Sequence, residues 1–212
     1  DGDHLYLQSC RGEFRCLKFA TGEIVWKTSF EKDFGVAFVG SKAAEGTAAR
    51  RGNNGSAVID GPNIIVPVGS AQGASLVAFD KLTGKIVWKA LNDEAAYSSP
   101  RLATFAGVKQ VVAFTADALV GLEHATGALL WRVPLKTSAK RHAATPVIWD
   151  NFIVVQSHTF GQICYRIVPT EAGMKAEKVW ANPDTKVNVS SHVKVGGFLF
   201  GQGAINSRDF IC

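Results

Sequence analysis

The chain has 212 residues, enough for one large or two small domains. Hydrophobic residues make up 47% and charged residues 19%, which argues for a sizeable core and against disorder. The formal charge of +5 is scattered through turns and strand ends; the densest basic spots, Ala49-Arg50-Arg51 and Lys140-Arg141-His142, are short and not interleaved with aromatics, so nucleic acid is not an expected partner.

In chain order, two strands over 4–9 and 14–19 lead into Thr21-Gly22-Glu23-Ile24-Val25-Trp26. Residues 31–54 then interrupt the pattern: 30 residues separate Trp26 from the next strand start, against 11 from Trp88 to Ser99. Insertions this long are often functional or disordered. Phe34, Phe38 and Val39 are candidate anchors for a partner or ligand loop; the alternative is a loop with no role of its own. A second unit, 55–93, opens on Gly55-Ser56-Ala57, turns at Asp60-Gly61-Pro62-Asn63, and continues through strands 64–68 and 76–80 to Thr83-Gly84-Lys85-Ile86-Val87-Trp88. A third, 97–135, runs from Ser98-Ser99-Pro100 through a turn at Ala106-Gly107 and strands 110–115 and 119–123 to Thr126-Gly127-Ala128-Leu129-Leu130-Trp131. A fourth, 143–183, runs from Ala144-Thr145-Pro146 and a turn at Asp150-Asn151 to a weaker copy, Glu177-Lys178-Val179-Trp180. The last stretch, 189–212, holds Ser190-Ser191-His192, a turn at Gly196-Gly197 and the start of a third strand. No uncharged apolar run reaches the ~18 residues of a membrane span.

The four repeat tryptophans, Trp26, Trp88, Trp131 and Trp180, are 62, 43 and 49 residues apart, and the shorter intervals match a four-stranded propeller blade of ~40–50 residues. Gly, Asn and Asp at the turns tolerate the positive φ that tight hairpins need. The predicted fold is therefore all-β: a β-propeller of four-stranded antiparallel blades, a partial ring of about four to five blades in one segment. Residues 1–30 and 189–212 are the partial blades, and a single blade cannot bury both of its faces alone.

The stretch from Ala78 to Trp88 carries every position of the pattern A-x-D-x-x-T-G-x-x-x-W and so resembles the repeat of pyrroloquinoline-quinone (PQQ) proteins; the resemblance covers nearly the whole chain. Two groups share such repeats: quinoprotein alcohol dehydrogenases, and non-enzymatic propellers similar to the lipoprotein of the outer-membrane β-barrel assembly machine. The short-looped blades look more like the second group. The resemblance implies that each Trp packs on the neighbouring blade with a Thr-Gly turn against it. That would give Trp26, Trp88, Trp131 and Trp180, with Gly22, Gly84 and Gly127, structural roles. It also implies export to the periplasm or envelope, protein partners and no cofactor. A ring closed by further blades of a longer protein, seven or eight in all, is expected, with closure by a second copy as the alternative.

The rival readings are a fragment of a PQQ-dependent alcohol dehydrogenase and a carbohydrate- or polymer-binding propeller. The dehydrogenase would require PQQ, a calcium ion held by carboxylate and amide oxygens, and an aspartate base. Many such enzymes also carry a vicinal disulfide, and this chain has no adjacent cysteines. Cys16, Ala78 and Gly121 share one repeat position, with Cys164 and Cys212 in the corresponding strands. A small buried residue fits that position; a hairpin disulfide between Cys10 and Cys16 is the alternative. His4, His124, His142, His158 and His192 show no metal-ligand spacing, and His124 and His158 are expected to be solvated. Arg51, Asn53, Asn54, Tyr97, Arg141, His142, Asn188 and His192 fall near the starts of innermost strands and form the candidate ligand site, a polar ring at the channel mouth. No catalytic residue and no metal site is predicted.

Overall fold

The computed structural model describes residues 1–36, 54–137, 142–187, 189–203 and 209–212. Arg51, Asn53, Arg141 and Asn188 of the expected ring, and Phe38 and Val39 of the insertion, lie outside the described residues.

Five antiparallel sheets follow one another along the chain. Blade one is β1 (His4–Gln8), β2 (Glu13–Lys18) and β3 (Ile24–Ser29). A five-residue helix, α1 (Phe30–Phe34), comes next. Blade two is β4 (Val58–Asp60), β5 (Asn63–Val66), β6 (Leu76–Asp80) and β7 (Ile86–Ala90). Blade three is β8 (Arg101–Phe105), β9 (Val108–Phe114), β10 (Ala118–Glu123) and β11 (Leu129–Pro134). Blade four is β12 (Val147–Trp149), β13 (Phe152–Ser157), β14 (Gly161–Thr170) and β15 (Gly173–Asn182). Blade five is β16 (Val193–Val195), β17 (Phe198–Gln202) and β18 (Phe210–Ile211). Each strand pairs with its predecessor in a simple meander. The fold is thus nearly all-β, as the repeat predicts, and among the described residues the sheets do not close into a ring.

The core lies between sheets. Phe14, Phe30 and Phe34 meet Ile64, Val66, Val77 and Phe79 at the first junction. Ile65, Leu76 and Trp88 meet Val111, Val120 and Leu122 at the second. Phe105, Phe114 and Trp131 meet Ile153, Ile163, Tyr165 and Ile167 at the third. Middle strands are therefore covered on both faces, which is why β6 and β10 read as continuous apolar runs rather than alternating ones.

One register detail repeats four times. Cys16 faces Trp26, Ala78 faces Trp88, Gly121 faces Trp131 and Cys164 faces Trp180, and the register shifts immediately after each small residue. The bulge re-aims the strand beside the indole. A Cβ on Gly121 would lie 2.1 Å from Trp131 Nε1, so there the space is already filled by the ring. Burial pushes the Cys16 thiol up and the Cys164 thiol to about 11, so both behave as small hydrophobes at pH 7. All four cysteines are free; Cys16 is buried opposite its Trp while Cys10 sits exposed in the hairpin turn, which corrects the disulfide alternative.

The insertion begins with structure. Ser29 caps α1 by accepting from the Lys32 N–H at 3.3 Å. Gly35, at φ +67°, closes the helix in the left-handed region and donates to the Glu31 carbonyl. Phe30 and Phe34 drop into the first junction, and Ser70 Oγ donates to the Phe34 carbonyl at 2.7 Å.

Candidate functional site

Three sets of contacts hold neighbouring blades together and fix what reaches the channel mouth. The first is tryptophan docking. Trp26 Nε1 donates across the junction to the Lys81 carbonyl (2.9 Å), an oxygen that also accepts from Tyr6 Oη (3.0 Å). Trp88 Nε1 donates to the His124 carbonyl one blade on (3.1 Å). Gly84 (φ +70°) and Gly127 (φ +74°) press against these rings, for an added Cβ would lie 2.6 Å from Trp26 and from Trp88 respectively. Gly22, at φ +72°, meets nothing within 4 Å. Burial pushes the Tyr6 phenol up to about 12, so it stays a donor.

Trp131 behaves differently. The following blade has no Thr-Gly turn; β14 and β15 instead extend to ten residues each and pair as far as Thr170 with Gly173. Met174 and Ala176 of that long hairpin pack over the Trp131 cluster. Trp131 Nε1 donates within its own blade, to Gln110 Oε1 at 2.7 Å, and Gln110 Nε2 contacts Met174 Sδ. Trp180 is 38% exposed, against 7% for Trp88 and 4% for Trp131.

The second set is ionic. Asp60, in the β4–β5 turn, receives Lys109 Nζ and His124 Nδ1 (2.6 Å) from blade three. Burial alone would raise the Asp60 carboxyl, but those two hydrogen bonds outweigh it and hold the group below the usual carboxylate range. His124 is thus engaged rather than solvated, through a neighbour far away in sequence, while His158 is partly exposed with its Nδ1 buried. Asp93, between β7 and β8, forms a two-pronged pair with Arg132 (2.8 and 2.9 Å) and accepts from Thr115 Oγ1 (2.6 Å). Burial opposes ionisation there as well, and the Arg132 and Thr115 bonds again win.

The third set rings the axis. The N–H of Ser56 donates to Ser99 Oγ (2.9 Å), that of Ser99 to Thr145 Oγ1 (3.3 Å), and that of Thr145 to Ser191 Oγ (2.9 Å). One hydroxyl per blade, at the same repeat position, therefore ties the start of each innermost strand to the blade before it. Gly55 comes so close to the Ser98 carbonyl that a Cβ would sit 2.6 Å from it. Small hydroxyl residues at these starts are thus a packing requirement and a hydrogen-bonding one.

Of the expected polar ring, Asn54 is exposed and Tyr97 is half-buried with its N–H donating to the His142 carbonyl (3.1 Å). His142 and His192 face inward rather than lining the rim. His142 is fully buried, stacks on Phe114 with ring centres 3.8 Å apart, and places Nε2 3.0 Å from the Leu135 carbonyl. Burial drives its pKa down to about 4, so it is neutral at pH 7. His192 Nδ1 sits 2.8 Å from Gln162 Nε2, and its Nε2 3.3 Å from the Gln202 carbonyl. The amide donating to Nδ1 leaves the proton on Nε2, and burial lowers this pKa too. Sequence position placed both rings at strand starts; the partners that draw them in, Phe114 and Phe160 for His142 and Gln162 for His192, are distant in sequence and carry no local signal.

Among the described residues no three His, Cys, Asp or Glu side chains converge on a metal site. No helix is long and apolar enough to cross a membrane.

These blades, with forward-docked tryptophans and short inner strands tied by hydroxyls, define a repeat-built β-propeller. Its closest-packed parts are the junctions. The chain belongs to the PQQ-like repeat family described as outer membrane protein assembly factor BamB, whose pattern matches residues 1–208. Among solved structures, BamB from Moraxella catarrhalis is similar at 16% identity and a TM-score of 0.60, over 95% of this chain and 52% of that one. Quinohemoprotein alcohol dehydrogenase ADHIIG from Pseudomonas putida HK5 is similar at 14% identity and a TM-score of 0.53, over 95% of this chain and 37% of that one. The computationally designed Ika8 protein is similar at 10% identity and 0.50, over 96% of this chain and 66% of that one. At such identities the likeness is one of fold, and the chain spans about half the length of the BamB structure. No curated protein sequence matches the chain significantly.

Proposed function

We propose that this chain serves as a non-catalytic propeller of the cell envelope that binds protein partners. The observation that carries this reading is the match over residues 1–208 to a family described as an assembly factor. The carboxylates support it. Asp60 and Asp93, the buried acidic side chains among the described residues, are held by Lys109 with His124 and by Arg132 with Thr115. A calcium ion would have to displace those cations, so these two carboxylates are not offered to the metal that a quinoprotein dehydrogenase needs. Partner contact is assigned to the expected polar ring, of which Asn54 and Tyr97 are the described residues that offer probes.

The dehydrogenase reading draws on the fold likeness to ADHIIG. Titration of the full-length protein with PQQ and calcium separates the two, read by melting temperature and dye-linked alcohol oxidation. The scaffold reading expects no saturable melting shift and no turnover, together with site-specific crosslinks from Asn54 or Tyr97 to a protein. A saturable shift with turnover would sink it, and crosslinks to glycan alone would favour a carbohydrate-binding propeller.

A further inference from the structure

The junction between blades four and five is built from different chemistry than the junctions before it. In blade three the side chains facing the next blade at the ends of the two middle strands are Phe114 and Leu119, directly paired across β9 and β10. In blade two the corresponding residues are Pro67 and Leu76, which line one small cavity together. In blade four the paired residues are Gln156 and Gln162. The segment that receives them changes in step. Pro100 and Pro146 begin the innermost strands of blades three and four, and His192 occupies that place in blade five.

The result is a polar layer that runs from the interior to the surface. Gln162 Nε2 meets His192 Nδ1 at 2.8 Å in the buried part, His192 Nε2 meets the Gln202 carbonyl at 3.3 Å, and Ser190 Oγ bonds Gln202 Oε1 at 3.0 Å at the exposed end. Residues directly opposite in an antiparallel pair project from the same face. Gln156 therefore points to the same side as Gln162, toward His192. Gln156 is 1% exposed, yet among the described residues neither its Oε1 nor its Nε2 has a hydrogen-bond partner. An unpaired buried amide is strongly disfavoured, and native chains satisfy such groups with protein or ordered water. The missing partner must both donate to Oε1 and accept from Nε2, must be neutral, and must be small. Water meets all four conditions.

We propose that the blade four–blade five junction is a built site for an internal water molecule, which bridges the Gln156 amide to the polar layer formed by Gln162 and His192. This makes the fourth junction a hydrated seam, and it holds whether or not the molecule binds a cofactor.

Two measurements on the whole protein test it. A crystal structure at 2 Å or better should show a single compact density peak within about 2.6–3.2 Å of both amide atoms of Gln156. Elongated density of several atoms would replace water by an organic ligand and overturn the proposal, as would no density. Independently, Gln156→Met keeps the volume and removes the amide. If the amide is water-satisfied, the variant should lower the folding equilibrium constant about ten-fold in urea unfolding. If the site is dry, losing an unpaired amide should leave that constant unchanged or raise it, and either result would overturn the proposal.

Discussion

Replacing His142 by phenylalanine should remove most of the acid sensitivity of this propeller between pH 6.5 and 4. The ring is fully buried, stacked on Phe114 and 6.0 Å from Phe160, so the protonated form is excluded until pH falls to about 4. In the unfolded chain the same ring titrates near 6.5. The folded pKa is the lower one, so below pH 6.5 the unfolded state binds the proton first. Stability is complete above pH 6.5 and falls as pH drops toward 4. At 1.36 kcal/mol per unit, that shift removes about 3 kcal/mol in total. Phenylalanine preserves the stack, cannot be protonated, and gives up only the contact with the Leu135 carbonyl. Urea midpoints from pH 4 to 8 should fall steeply for the wild type and much less for His142→Phe; the residual slope comes from His192, whose pKa is also lowered by burial, and, near pH 4, from carboxylates held low such as Glu123. Parallel midpoint curves for the two proteins, or an NMR titration of His142 near 6.5, would refute the reasoning.

Other perturbations follow from the junctions. Gly22→Ala and Gly84→Ala both force alanine into positive φ, which costs about 1 kcal/mol, but Gly84→Ala also drives a methyl into Trp26. Gly84→Ala should therefore cost at least twice as much in thermal unfolding and shift the tryptophan emission, which Gly22→Ala should not. Gln110→Leu strips the buried Trp131 N–H of its acceptor and should cost about 1–3 kcal/mol in denaturant unfolding. Asp93→Asn should destabilise the protein at pH 7 by roughly 1–2 kcal/mol, since Arg132 is partly exposed and solvent screens the loss. Because the Asp93 pKa is held below 3.8, its contribution is present above that pH and lost beneath it, so the wild-type and variant stabilities should converge in acid.

The repeat was legible because it is written in residues whose geometry is local. Thr-Gly fixes a turn by φ, and the spacing to each Trp puts Cys16, Ala78 and Gly121 at one repeat position without a structure; that each of them, and Cys164, faces a Trp across the strands is what the register adds. What stayed hidden depends on pairs separated by tens of residues. Nothing near Asp60 announces Lys109 and His124, and nothing near His142 announces Phe114. The helix over Phe30–Phe34 escaped because five residues are too few to show a period, although Ser29 and Gly35 mark its ends. The long β14–β15 hairpin escaped because losing a Thr-Gly turn reads only as a weak copy, while its effect falls on Trp131 in the preceding blade.

The docking of Trp26 and Trp88 runs one way, each indole reaching forward to a carbonyl on its successor. A stack assembled by such arrows has a head and a tail. Removing blades from the leading side leaves the remaining docked indoles seated, whereas trimming from the trailing side bares the ring of whichever unit is then last. Serial truncations from opposite ends should not be mirror images: the trailing series sheds solubility at each step, and the leading series does not.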